Sequence, residues 1–138
     1  MIRGVVVIRA GMSKNRRYYS DEVLSAAVPH FEGVQAFLNH DPGDSKKRRE
    51  RGLQALTGWY SNVRFENSAI RADRYFTRNA AGNDSLAIAA DIISGRAPST
   101  LAGLSINAAG TGRVDDFKDG EALRVESITG AESVDDVT

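Results

Sequence analysis

The chain has 138 residues, enough for one domain with its own hydrophobic core. Its 18 Lys and Arg residues balance 18 Asp and Glu residues, and a net charge of zero argues against a dedicated nucleic-acid-binding protein. The absence of cysteine excludes disulfides, a cysteine nucleophile and thiolate metal sites.

The N-terminal part of the chain predicts a strand followed by a short helix. Residues 4–9 are largely apolar and β-branched, which is typical of a buried strand, and the run is too short for a signal sequence or a membrane span. Ser20 is a suitable N-cap, with two acidic residues in the first helical turn behind it. We expect the helix to end at Pro29 and Gly33.

The next segments predict strands on both sides of a long polar loop. Residues 34–39 indicate a strand that delivers His40 at its end, and residues 41–52 contain no apolar side chain except one proline, which predicts a mobile surface loop. Strand patterns resume at 53–65 and 69–76. The three residues between them predict a hairpin connection.

The C-terminal half predicts one more helix and the remaining strands. A helix is expected from Ser85 to about Ser94, capped by Asn83 or Asp84. The strand regions that follow are 101–113, 123–129 and 133–137. The fold class is therefore α+β and mostly β: a single domain, 1–138, built as a barrel or strongly bent sheet with two or more helices packed outside. We interpret the last six residues as a strand cut at its end, as in a truncated or split domain.

Two residues are candidates for nucleophilic chemistry. His40 ends an apolar strand beside the polar loop, where it can meet both solvent and substrate, although from position alone a structural or surface histidine is the simpler interpretation. Ser105 follows Gly103, which permits close approach of the backbone, but the segment lacks the Gly-x-Ser-x-Gly elbow, and a serine bonded to backbone is the simpler interpretation.

A serine–histidine pair needs a third group that orients the histidine, and the C-terminal strand offers two carboxylates. Asp135 lies among valines and is the first choice, with Glu132 as the second. The alternative is that both are solvated carboxylates on a sheet edge, where charge discourages pairing with other chains.

Other kinds of site are not supported by the sequence. Two histidines and scattered carboxylates show no metal-ligand spacing, so we expect neither a metal nor a cofactor. The basic run 46–51 could contact nucleic acid, but no basic stripe continues it elsewhere, which favours a solvated loop and no specific nucleic-acid partner.

Five segments, in order, resemble the prohead maturation proteases of tailed phages, and together they cover nearly the whole chain. They are Ser13–Leu24 with the helix after it, Phe37-Leu38-Asn39-His40, Leu56-Thr57-Gly58-Trp59, Gly103-Leu104-Ser105-Ile106 and Ser133-Val134-Asp135-x-Val137-Thr138. Arg16 stands where the family often has glycine.

This resemblance implies a serine endopeptidase with a fold related to the herpesvirus assembly proteases, a β-barrel surrounded by helices. It implies His40 as general base, Ser105 as nucleophile, and Asp135, or else Glu132, as the acid. Its substrates would be the phage scaffold and major capsid protein, and the enzyme itself. It would act in the host cytoplasm inside the assembling procapsid, without a membrane and without a cofactor, and a homo-oligomer is compatible with it.

Three other functions remain as alternatives. A non-catalytic, capsid-associated structural domain would share the fold but would have no reason to keep both His40 and Ser105. A serine esterase or amidase would normally show a nucleophile elbow and alternating strands and helices. A nucleic-acid module built on the basic loop would bind DNA with a steep dependence on salt.

Overall fold

The computed structural model describes residues 1–39 and 52–138. In these residues the chain forms eight strands: β1 (Ile2–Arg9), β2 (Gly11–Met12), β3 (Arg17–Tyr19), β4 (Gln35–Phe37), β5 (Leu56–Glu66), β6 (Ala69–Phe76), β7 (Gly103–Phe117) and β8 (Gly120–Val137). The helices in the same residues are α1 (Asp21–Phe31), a 3-10 turn at Leu53–Ala55, and α2 (Ala80–Ile93). His40 and the predicted loop up to residue 51 lie outside the described residues.

All eight strands belong to one sheet that curls into a half barrel. The order is β1-β6-β5-β4-β8-β3-β2, and β7 pairs with β8 off this path. β8 pairs in parallel with β4 and with β3, and antiparallel with β7 along its whole length. This architecture confirms the α+β, mostly β fold class and the strongly bent sheet.

The two C-terminal strand predictions, 123–129 and 133–137, are wrong in one respect, because a single strand of 18 residues covers both. Register shifts interrupt its pairing with β7 at three places. Such bulges bend a strand without ending it, and they blur the alternation of side chains on which the prediction depended. Ladder pairing across the bulges therefore keeps β8 continuous.

Helix α1 supplies the centre of the core. The Ser20 side chain accepts a hydrogen bond from the Val23 amide at 3.2 Å, as predicted for an N-cap. Leu24 and Phe31 are completely buried against the sheet. The helix continues through Pro29, contrary to that part of the prediction, because burial of the last turn outweighs the backbone hydrogen bond that proline cannot make. It ends at Phe31, and Gly33 follows the C-cap with φ of +75°, as expected of a glycine stop.

Helix α2 begins earlier than predicted. Its N-cap is Asn79, whose Oδ1 accepts a hydrogen bond from the Gly82 amide at 2.9 Å, and neither Asn83 nor Asp84 has this role. The side-chain Nδ2 of Asn79 also donates to the Leu53 and Leu56 carbonyls. These long-range bonds fix the start of the helix, and they are not visible in the local sequence.

We predict that Gly58→Ala destabilises the protein by about 1–3 kcal/mol or more, the usual cost of overpacking. A β-carbon at this position would overlap the carbonyl oxygen of Tyr75 on the paired strand β6. The measurement is the free energy of urea unfolding. Gly130→Ala is the matched control, because no atom lies within 4 Å of its added β-carbon, and equal losses in both variants would contradict the prediction.

Candidate active site

Ser105 and Asp135 lie directly opposite one another on the antiparallel strands β7 and β8. Side chains of such paired residues share one face of the sheet, with β-carbons about 4.5–5.5 Å apart. Ser105 is half-buried, while Asp135 is completely buried. The register thus brings a hydroxyl and a carboxylate from positions 30 residues apart in the sequence to one place.

The Asp135 carboxylate ties this pair to β4. Its Oδ1 accepts a hydrogen bond from the Phe37 amide at 3.3 Å. Phe37 is the last residue of β4, and Leu38 continues beside β8 by bridging to Asp136. The segment that precedes His40 therefore runs alongside the strand that carries Asp135.

Asn39 is the last described residue before His40. Its amide donates to the Asp136 carbonyl oxygen at 2.7 Å, and its backbone has φ of +54°. Left-handed backbone is uncommon outside glycine, is tolerated by asparagine, and turns the chain sharply. The described chain thus leaves the sheet beside Asp136, the residue after Asp135.

Glu132, the second choice for the acid, lies in a different setting. It is exposed, and its Oε2 accepts a hydrogen bond from the Asn107 side chain at 3.4 Å. Ser105 instead faces Asp135. Burial and register therefore both favour Asp135 over Glu132 as the carboxylate of this site.

A largely buried ion pair that the sequence patterns did not predict lies on the opposite face of the same strand ends. Arg74 donates through Nη1 to Asp136 Oδ1 at 2.8 Å and through Nη2 to Asp136 Oδ2 at 2.9 Å. Asp136 Oδ2 also accepts from the hydroxyls of Thr57 at 2.6 Å and Ser85 at 2.7 Å. Arg74 is only 2% exposed and packs on the rings of Tyr60 and Phe76.

The electrostatics of this network favour the ionised pair. Burial alone would raise the pKa of Asp136, but the hydrogen bonds and charge of Arg74, with the hydroxyls of Thr57 and Ser85, hold that pKa below its usual value. Burial likewise opposes the charge on Arg74, yet Asp136 raises the net pKa of the guanidinium. Burial also raises the pKa of Tyr60, which accepts from Arg74 at 3.0 Å.

One signal in the sequence could have found Arg74. Strand β6 alternates, and Arg74 shares its face with Ile70 and Ala72, which are completely buried. A charged residue in the register of a buried face requires a buried partner of opposite charge. The identity of that partner, 62 residues away, could not be predicted.

Two hollows lie along β7 and β8, and Ser105 lines neither of them. A mainly apolar groove of about 260 Å³ runs between α2 and the strand ends, and its lining includes Leu104, Arg74 and Asp136, on the face of the sheet opposite Ser105. A second hollow of about 480 Å³ begins at Ile106 and follows the curl of the β7–β8 hairpin. Both are concave surfaces that can hold part of a ligand.

The described residues show neither a metal centre nor a membrane helix. No group of three or more His, Asp or Glu side chains in 1–39 and 52–138 is arranged to hold a metal ion. Within the same part of the chain, no helix is long and apolar enough to cross a membrane.

Comparison by sequence finds no matching protein-family model and no matching curated protein. Comparison of the structure finds the bacteriophage T4 capsid assembly protease, gp21, with a TM-score of 0.62. The match covers 96% of this chain and 79% of that chain at 17% identity. The chain has the fold of a capsid assembly protease. This agrees with the resemblance in its five sequence segments, at the level of fold.

Proposed function

We propose that this protein is a serine endopeptidase of phage procapsid maturation, with Ser105 as nucleophile, His40 as general base and Asp135 as the acid. The observation that carries the proposal is the register of β7 on β8, which sets Ser105 opposite the buried carboxylate of Asp135. A half-buried hydroxyl facing a buried carboxylate suits nucleophilic catalysis once a histidine joins them. The T4 protease fold supports the same function.

The position of Asn39 supports His40 as the base. Asn39 is held to the Asp136 carbonyl oxygen, one residue from Asp135, and His40 is the next residue in the chain. The other histidine, His30, is exposed in the last turn of α1. The chain thus offers one histidine whose preceding residue is fixed at the site.

The proposed reaction has two covalent steps. His40 takes the proton of Ser105 as Oγ bonds to the peptide carbonyl carbon, and backbone N–H groups stabilise the oxyanion. His40 then protonates the amine, the C–N bond breaks, and an acyl-enzyme ester remains. Water attacks this ester while His40 takes its proton, the bond to Oγ breaks, and the proton returns to Ser105. Asp135 fixes the histidine tautomer and stabilises the imidazolium.

The substrates in this proposal are the scaffold and major capsid protein, together with the enzyme itself, inside the assembling procapsid. The role of the T4 neighbour in capsid assembly supports this location.

Covalent labelling tests the nucleophile without knowledge of the natural substrate. An alkyl fluorophosphonate forms a P–O bond to an activated serine and releases fluoride, while the serine proton passes to the base. We expect one label per chain, mapped to Ser105 by peptide mass, and no label in Ser105→Ala. Ser127→Ala is the matched control, because Ser127 is another half-buried serine of the same hairpin, paired with Thr111.

A peptide library made from a digested proteome tests the endopeptidase activity. New peptide ends should appear with the parent protein and with Ser127→Ala, and not with Ser105→Ala or His40→Ala. Absence of labelling at Ser105 in a folded protein would instead favour the non-catalytic, capsid-associated domain.

A further inference from the structure

The end of β8 contains two adjacent carboxylates, and the register of the strand decides which one faces Ser105. Asp135 and Asp136 lie between Val134 and Val137, and successive strand residues point to opposite faces. A slip of one residue would exchange the two faces. It would move Asp136 opposite Ser105 and remove Asp135 from its place.

Arg74 distinguishes between these two carboxylates. Its planar guanidinium bonds both oxygens of Asp136, and the Thr57 and Ser85 hydroxyls occupy further acceptor positions on Oδ2. Such a bidentate pair fixes geometry as well as charge. A slip that moves Asp136 opposite Ser105 would break all four bonds and leave the buried guanidinium without a carboxylate, which is strongly unfavourable.

Asp136 also holds the segment that leads to His40. Its carbonyl oxygen accepts the Asn39 amide at 2.7 Å, and the neighbouring Asp135 accepts the Phe37 amide at 3.3 Å. The side chain of Asp136 is therefore anchored to β5, β6 and α2. Its backbone carbonyl bonds Asn39, two residues after the end of β4. One anchored residue sets the position of both the proposed acid and the residue before the proposed base.

We propose that Arg74 and Asp136 are positioning residues, which act from the face of the sheet opposite Ser105. They keep Asp135 opposite Ser105, and they keep Asn39 beside β8. This inference rests on the proposed serine endopeptidase function. Neither residue touches substrate in this proposal, and both act through the backbone of β8. An apolar pair of similar size could fill the same volume with equal stability, so a contribution to stability does not explain why charged residues occur here.

The test is the double variant Arg74→Met/Asp136→Asn, which removes the bidentate ion pair without leaving a buried charge unpaired. The Asn side chain can still accept from Thr57 or Ser85. Folding is checked by circular dichroism and urea unfolding. Two readouts follow: the rate of Ser105 modification by an alkyl fluorophosphonate as a function of pH, and hydrogen exchange of the Phe37 and Asn39 amides by NMR.

We expect the fluorophosphonate to label Ser105 about 10²-fold more slowly in the folded double variant, the effect of misplacing a reacting group by about 1 Å. The pH midpoint of the rate should fall, because a histidine that loses a neighbouring carboxylate has a lower pKa. The Phe37 and Asn39 amides should exchange at least about tenfold faster. Arg64→Met is the matched control, since Arg64 on β5 forms a half-buried pair with Asp73 on β6, without contact to β8 through this pair.

The opposite result is a folded double variant that keeps the parent's labelling rate, the pH midpoint of that rate and the exchange rates of the two amides. That result would overturn this inference and leave the proposed function intact. If the double variant does not fold, Arg74→Lys replaces it, because lysine keeps the charge but cannot bond both carboxylate oxygens in the bidentate manner of arginine. Parent-like labelling by folded Arg74→Lys would be equally decisive against the inference. Failure of the parent itself to label at Ser105 would overturn the proposed function first.

Discussion

Asp135→Asn is expected to slow both peptide cleavage and fluorophosphonate labelling of Ser105 by about 10⁴-fold, the loss seen when the acid of a serine-protease triad becomes an amide. Asparagine has nearly the same shape and retains an oxygen that can accept from the Phe37 amide. It has no charge to stabilise an imidazolium, and its NH₂ group favours the wrong histidine tautomer. The measurement is the labelling rate of the folded variant, with Ser105 as the mapped site.

Glu132→Gln is the control for this prediction, because it makes the same chemical change three residues away on the same strand. Glu132 is exposed and bonded to Asn107, so its variant should keep nearly the full rate. A large loss in Glu132→Gln with a parent-like Asp135→Asn would reverse the assignment of the acid. Parent-like rates in both variants would show that neither Asp135 nor Glu132 is the acid.

Arg74→Ala should lower the free energy of unfolding by about 3–5 kcal/mol, because it leaves the largely buried Asp136 carboxylate without its counter-ion. Arg74 also packs on two aromatic rings, so the truncation removes apolar contacts as well as charge. Urea unfolding near pH 7 measures the loss. Arg16→Ala is the control: its ion pair with Asp119 is exposed, and removing it should change the unfolding midpoint far less.

The loss of unfolding free energy in Arg74→Ala should also depend on pH. The pKa of Asp136 is held below its unfolded value in the parent, so its stabilisation is present above about pH 4 and is lost as the pH falls through the lower folded pKa. In the variant the carboxylate is buried without Arg74 and takes up a proton more readily. The difference between the two proteins should therefore narrow below about pH 4. A difference that widens in acid would contradict this account of the pair.

Local features of the fold could be predicted because their causes lie within a few residues. The Ser20 cap depends on an amide three residues away. The connection between β5 and β6 was predicted at Glu66–Ser68, and Asn67 and Ser68 adopt the paired left-handed conformations of a tight hairpin. The start of α2 was misplaced because Asn79 is held by carbonyls more than 20 residues away.

The sequence by itself determined the mostly β fold class, the first helix cap, the strand patterns and the short set of candidate residues, because these depend on periodicity and neighbouring side chains. Only the tertiary structure decided that Asp135 faces Ser105, that Glu132 is exposed, and that Arg74 takes Asp136 as its partner. The physical reason is strand register. It depends on bulges, cross-strand hydrogen bonds and buried charge pairs that join residues 30 to 100 positions apart, and one step of register reverses the face of every side chain.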